Sequence, residues 1–297
     1  MDQLKGILYV GIGASSYGVL ATFVKLANMQ EIHTAGLAFS QYLFGFLILS
    51  ILSFFISRRK TTQPKTEVNK SSYFKLILFG SSLGFTSSFY YLSIQYIPVS
   101  VAVILLMQSI WFGLLYEAIT NPKLITKNKI FGAIAVILGT LLAVNIFDIS
   151  GRLEWQGIVL GVLAAISFTT TMVTTNQVAL ELPTLVRSKY LVLGGLLAII
   201  LFWNIQIIEH FNLKDFITWG AFLGIFGTIL PPLLFNQGFP KIGVGIGSIV
   251  ASLELPISVL SALILLNESV VWMQWLGIII ILLSVVIINK RHISKKS

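Results

Sequence analysis

Apolar residues run along nearly the whole 297-residue chain in stretches of membrane-crossing length, separated by short polar punctuation. A hydrocarbon core of about 30 Å takes roughly 20 helical residues to cross. On that template ten segments emerge, at 6–26, 34–56, 74–96, 99–119, 130–147, 155–177, 189–208, 216–237, 243–266 and 271–289. The longest polar stretch, Ser57 to Ser72, reads as a loop and leaves no room for a soluble catalytic or nucleotide-binding module. The apolar part of the first segment is too long for a signal peptide and nine similar segments follow, so it is expected to stay as a span.

Composition narrows the class. Hydrophobic residues make up 56%, charged residues 10%, and mean hydropathy is +0.90, which excludes a soluble globular domain. The net charge of +9 invites a nucleic-acid partner, but its distribution argues against one. With the amino terminus placed in the cytoplasm, the inner side holds every Lys and Arg except Lys25, Arg152 and Lys214. That asymmetry predicts cytoplasmic placement of both termini, with some attraction to anionic lipid head groups. There is no cysteine and only three scattered histidines, His33, His210 and His292, so neither disulfides nor a metal site is expected.

The chain also repeats. A shift of 145 residues sets Tyr90 on Phe235, Ser100 on Gly245, Ala102 on Gly247, Leu106 on Ala251, Ser109 on Glu254 and Gly132 on Gly277. The first and sixth segments match at a shift of 151, with Gly6 on Gly157, Ser16 on Ser167 and Tyr17 on Phe168. Halves of five spans each, 1–150 and 151–297, must enter the membrane from opposite sides. The expected architecture is ten transmembrane helices as two inverted five-helix repeats around a midplane site.

Within that frame Glu254 stands out as a carboxylate halfway along the apolar run Gly243 to Leu266. An ionisable group at that depth costs several kcal/mol unless it faces protein or water. Two readings stand: a substrate-ammonium or proton-coupling carboxylate lining a polar cavity, or a carboxyl satisfied by an interhelical hydrogen bond. Gly247, Ala251, Glu254, Ser258 and Ser261 recur at spacings of four and three, which forms one helical stripe. Packing alone accounts for its small members. The matching stripe of the fourth segment is Ala102, Leu106, Ser109, Gly113 and Tyr116, with Gln108 and Trp111 flanking Ser109. Glu117 lies eight residues further on, about 12 Å along the axis at 1.5 Å per residue. It suits a cavity or gating role, or a surface pairing with Lys123 or Lys127.

The sixth segment carries Ser167, Thr171 and Thr174 on one face, either turned to a cavity or bonded back to their own helix. Ser16 and Tyr17 sit at a comparable place in the first. Tyr90 and Tyr91, or Asn236 and Gln237, could complete the lining, although core packing or an interfacial belt suits the tyrosines. Pro231-Pro232 should bend the eighth segment and free backbone carbonyls. Lys25 and Glu268 fall at the outer ends of their helices, as a gate pair or as two snorkelling side chains. Gly243-x-Gly-x-Gly lacks the strand–turn–helix context of a phosphate loop.

These features resemble the drug/metabolite transporter superfamily, specifically its EamA-type permeases. The residues carrying the resemblance are Gly243, Gly245, Gly247 and Ser248, then Leu255-Pro256, Asn267-Glu268 and Gln274-Trp275-Leu276-Gly277. In the first half Pro98, Ser100 and Ala102 fit. Trp111 stands where the family usually has proline, and Lys123 stands opposite Glu268. The resemblance implies export of amino acids or related metabolites against inward proton flow, from a bacterial plasma membrane. Uptake on the same scaffold is the alternative. An intramembrane enzyme would need paired acids, a His–Ser pair or a metal cluster, and the spans hold none. The expected partners are therefore a small-molecule substrate, protons and lipid. No cofactor is expected, and the oligomeric state stays open.

Overall fold

The computed structural model describes residues 2–59, 70–97, 99–145, 154–267 and 269–293. The described residues are helical almost throughout. The helices are α1 (Asp2–Met29), α2 (Thr34–Arg59), α3 (Lys70–Tyr96), α4 (Val99–Leu106), α5 (Ser109–Thr120), α6 (Lys127–Ala143), α7 (Trp155–Gln177) and α8 (Thr184–His210). There follow α9 (Leu213–Asp215), α10 (Ala221–Leu223), α11 (Leu230–Ala251), α12 (Glu254–Leu266) and α13 (Trp272–Ile293).

Six stretches of described helix are long and apolar enough to cross a membrane, and Trp272–Ile287 is a shorter apolar one. The surface agrees with that environment: Ile208 is 81% exposed, Leu201 74% and Ile119 73%. Such side chains need an apolar solvent around them. The chain is a multi-pass membrane protein. The expected division at residue 150 lies outside the described residues.

One of the six stretches, Leu213–Leu266, spans 54 residues. A straight helix of that length would reach roughly 80 Å, so it cannot be a single crossing. Its break is at Gly243, whose φ of 77° and ψ of 168° suit a residue without a Cβ. The sequence boundary between the eighth and ninth segments falls at the same place.

Two further breaks were not expected. Met107-Gln108 separates α4 from α5, and Ser252-Leu253 separates α11 from α12. The two turns lie 145 residues apart, the same shift that aligns the halves. Consequently Ser109 opens α5 and Glu254 opens α12. The stripe from Gly247 to Ser261 is therefore not one continuous helical face.

The bend at Pro231-Pro232 takes a specific form. The preceding residues Phe216–Gly220 and Gly224–Ile229 are π-helical. In that wider register the Phe226 carbonyl would accept from the nitrogen of Pro231, which has no hydrogen. The Ser16 hydroxyl donates to it instead, at 2.5 Å.

Helices meet closely where glycine removes the side chain. A Cβ on Gly80 would stand 2.5 Å from the Leu191 carbonyl oxygen, which holds α3 against α8. One on Gly139 would stand 2.9 Å from the Gly277 oxygen, which holds α6 against α13. In lipid, where burial of apolar surface does not drive association, such close packing carries the cohesion. These contacts also orient the bundle. Gly6 lies against Lys241 and Ile242, and Gly277 lies against Ala143, so α13 runs antiparallel to α6. The start of α1 and the end of α13 thus share one end, called here the terminal end. The opposite end is the distal one.

Candidate functional site

A cavity of about 520 Å³ occupies the distal half of the bundle. Its inner limit is formed by Leu106 and Met107 at the first unexpected break, Leu255 just past the second, and Phe168 of α7. Its mouth is formed by Val144, Leu266, Ser269, Val270 and Gln274. Between these lie Tyr17 of α1, Gln41 and Tyr42 of α2, Thr86, Ser87, Tyr90 and Tyr91 of α3, and Glu254 and Ser258 of α12.

Glu254 is positioned by the break itself. It is the first residue of α12, but the first turn gives its carboxyl no free donor. The Leu255 and Ile257 amides already donate to the Ser252 and Leu253 carbonyls at 3.1 and 3.3 Å, and Pro256 has no N–H. Its side chain is partly accessible and lines the cavity. Among the described residues, none hydrogen-bonds or ion-pairs with that carboxyl. The rings around it are held in place. Tyr17 meets Phe168 edge-on at a centroid distance of 6.4 Å and Phe235 at 5.8 Å. Tyr42 donates to the Leu83 carbonyl at 2.8 Å and shares a hydrogen bond of 3.0 Å with Ser87.

The terminal half is closed. Lys129 donates to Glu117 at 2.5 Å, with both side chains 5% exposed. The second oxygen of Glu117 accepts the Gly245 amide at 2.9 Å. Because α11 breaks at Gly243, the Gly245 amide belongs to a new helix start and needs an acceptor. Glu117 therefore caps this helix from α5 while pairing with α6.

Two more gaps in α11 are filled from the same end. Pro240 cannot donate to the Asn236 carbonyl, and Arg187 does so at 3.0 Å, while also donating to Thr175 at 2.7 Å and Val178 at 3.1 Å. The Phe239 carbonyl, which faces the Gly243 break, accepts from Asn176 at 2.6 Å.

The structure divides the residues singled out in the sequence. Glu254, Ser258 and Tyr17 come together in the cavity. The other proposed lining residues do not. Ser109 is buried, and its carbonyl faces Thr169. Gln108 bonds back to the Ile104 carbonyl at 3.0 Å. Trp111 packs against the core around Phe235 and Phe239. Ser167 offers its carbonyl to Thr171, whose hydroxyl also meets Ser82 of α3 at 2.6 Å. Thr174 bonds to the Thr170 carbonyl at 2.7 Å, and Ser16 is committed to Phe226. Of Ser167, Thr171 and Thr174, then, Thr171 meets α3, while Thr174 lines a separate, smaller cavity with Phe112 and Tyr116.

The partner of Glu117 is Lys129, rather than Lys123 or Lys127. Tyr90 and Tyr91 line the cavity, whereas Asn236 is buried against Ser188. The side chain of Lys25 and the whole of Glu268 lie outside the described residues. Lys129, Arg187, Gln41, Tyr42 and Phe168 were not singled out as site residues. For Phe168 a signal existed, since it aligns with Tyr17.

The site is thus a helical bundle in a multi-pass membrane protein, with an acid in a cavity in its distal half and ionic and capping contacts across its terminal half. Residues 4–145 and 155–290 each match the EamA-like transporter family, and the chain belongs to that family. The two matches make the halves repeats of one unit. No curated protein matches the chain. Among the solved structures, one crystal structure superposes with a TM-score of 0.72 at 13% identity, over 96% of this chain and 95% of that one. That likeness concerns the fold alone.

Proposed function

We propose that this protein is a gradient-driven secondary transporter that exports a small metabolite across a bacterial plasma membrane. In this reading ten crossings form two inverted five-helix repeats, 1–150 and 151–297, with both termini cytoplasmic. The observation that carries it is the unpartnered Glu254 carboxyl in a cavity open distally and sealed terminally.

The repeat supplies the motion. Under the 145-residue shift, the sealing pair Glu117 and Lys129 maps onto Ala262 and Gln274. Both of these line the cavity on the distal side. Rocking one half against the other would exchange the two environments, opening the terminal end as the distal end closes. Glu117 then acts as a gate, and Glu254 binds substrate and, when substrate leaves, a proton.

The test is flux in proteoliposomes loaded with a labelled metabolite mixture, with a proton gradient imposed in either direction. Glu254→Gln is expected to lower flux at least severalfold while the protein stays folded. Undiminished flux in that variant removes Glu254 from the mechanism. Metabolite that moves in the same direction as the protons, rather than against them, would assign uptake instead of export.

A further inference from the structure

We propose that the cavity takes an organic monocation, an ammonium group carried on an aromatic or branched apolar body, in preference to a zwitterionic amino acid. The proposal rests on the transport reading and specifies its substrate.

Charge is the first argument. The other buried carboxylate described, Glu117, is held by Lys129 and the Gly245 amide, while Glu254 has no such partner. No Lys, Arg or His is found among the described lining residues. A substrate ammonium would complete an ion pair that the protein leaves half made. A substrate carboxylate would enter the same confined space with Glu254 and meet no cation among the described lining residues. At a separation of a few ångströms such repulsion weakens binding by about tenfold or more, even at an effective dielectric constant near 20.

The walls are the second argument. Tyr17, Tyr42, Tyr90, Tyr91 and Phe168 surround the space near the acid. Aromatic faces attract cations, and quaternary ammonium groups most visibly. Apolar neighbours such as Leu20, Val103 and Val259 suit a greasy body rather than a second polar end. A volume of about 520 Å³ lies within the range that encloses small organic ligands, roughly 300–1,000 Å³. Several of the cavity's hydroxyls are already engaged within the protein: Tyr42 with the Leu83 carbonyl and Ser87, Thr22 with Ser261, and Thr86 with the Ser82 carbonyl.

The experiment uses the full chain in lipid nanodiscs and probes sharing one phenethyl body: phenethylamine, its trimethylammonium analogue, phenylalanine, 2-phenylethanol and phenylacetate. Calorimetry is expected to rank both cations at least about tenfold tighter than phenylalanine, with phenylacetate weakest, by the repulsion argument. Glu254→Gln should reduce the cations to the affinity of the alcohol. Tyr17→Leu keeps the acid and should weaken the trimethylammonium probe more than the alcohol.

Phenylalanine or phenylacetate binding as tightly as the cations overturns the proposal. So does cation affinity indifferent to Glu254→Gln, or no binding of any probe to folded protein. Flux of the trimethylammonium probe, which does not leak through bilayers, separates the two readings. Binding that depends on Glu254 without any flux sinks the transport reading and keeps the ligand class. Carrier-mediated flux of phenylalanine that the cations fail to inhibit does the reverse.

Discussion

Lys129 reaches Glu117 across a turn that contains two nearer lysines, and the pair closes at 2.5 Å in a setting where each side chain is 5% exposed. The selection is made by the start of α6. Thr126 caps that helix by accepting the Lys129 amide, which sets the register so that the third helical residue turns inward. Lys123 sits in the short 3-10 turn Pro122–Leu124 and is exposed, and Lys127 leads α6 away from the pair.

Breaking this pair on one side should be far worse than removing both charges. Lys129→Met leaves the Glu117 carboxylate buried with a single amide donor and should cost about 3–5 kcal/mol, read as a lowered thermal midpoint in detergent. The double variant Glu117→Gln with Lys129→Met should recover most of that loss. The chain has no native cysteine, so Ser248→Cys can report the seal beside Gly113. That thiol should be unreactive from the terminal side in an otherwise native chain and reactive in the double variant. Equal protection in both would show that the pair is not the closure.

Ser16 was expected to face substrate; as a repair for the proline-interrupted π-helix it should matter for stability instead. Ser16→Ala strands the Phe226 carbonyl and should cost about 1–3 kcal/mol. Ser252 is a useful control, since its hydroxyl only bonds back to Ile249 in its own helix at 2.6 Å. Ser252→Ala should leave the thermal midpoint nearly unchanged. Equal midpoints for the two variants would remove the special role of Ser16.

Acid should loosen the connection between α1 and α2. His33 accepts the Ala35 amide on Nδ1 at 3.2 Å and stacks on His210 at 3.8 Å. Burial first, and then the charge of His210, hold its pKa below the ordinary histidine value of 6.5. Near and below 6.5 the unfolded chain therefore binds more protons, so stability rises with pH and is lost on acidification. The Ala35 amide should lose protection from hydrogen exchange, relative to its intrinsic rate, as pH falls below that value. His33→Asn, which keeps an acceptor without titrating, should abolish the dependence. A pH-independent protection in the native chain would contradict the assignment.

The residues that could be read in advance share one property: they stand out in a linear apolar run before any neighbour is known. A carboxylate there is costly unless protein or water receives it, so Glu254 was legible from position alone. The break at Gly243 was legible for a similar reason, since a single crossing has a maximum length. The hydroxyls of α7 were not. Ser167, Thr171 and Thr174 define a face by periodicity, but periodicity carries no information on whether that face meets a cavity or Ser82 of α3. Tyr42 and Gln41 gave no signal, because an aromatic or amide near a helix end fits an interfacial belt equally well.

Apolar run length and composition determined by themselves that the chain lives in a bilayer, because every backbone polar group there must be satisfied within helices. The internal shift of 145 residues likewise announced two related halves. Tertiary structure alone decided which charged side chains pair and which is left facing open space. That choice depends on angstrom-scale placement of helix starts: the cap at Thr126, the break at Gly243 and the paired turns at Met107 and Ser252. A linear pattern records where charges occur along the chain. Their work is set by distance in space, and Coulomb energy falls with separation through whatever medium the fold leaves between them.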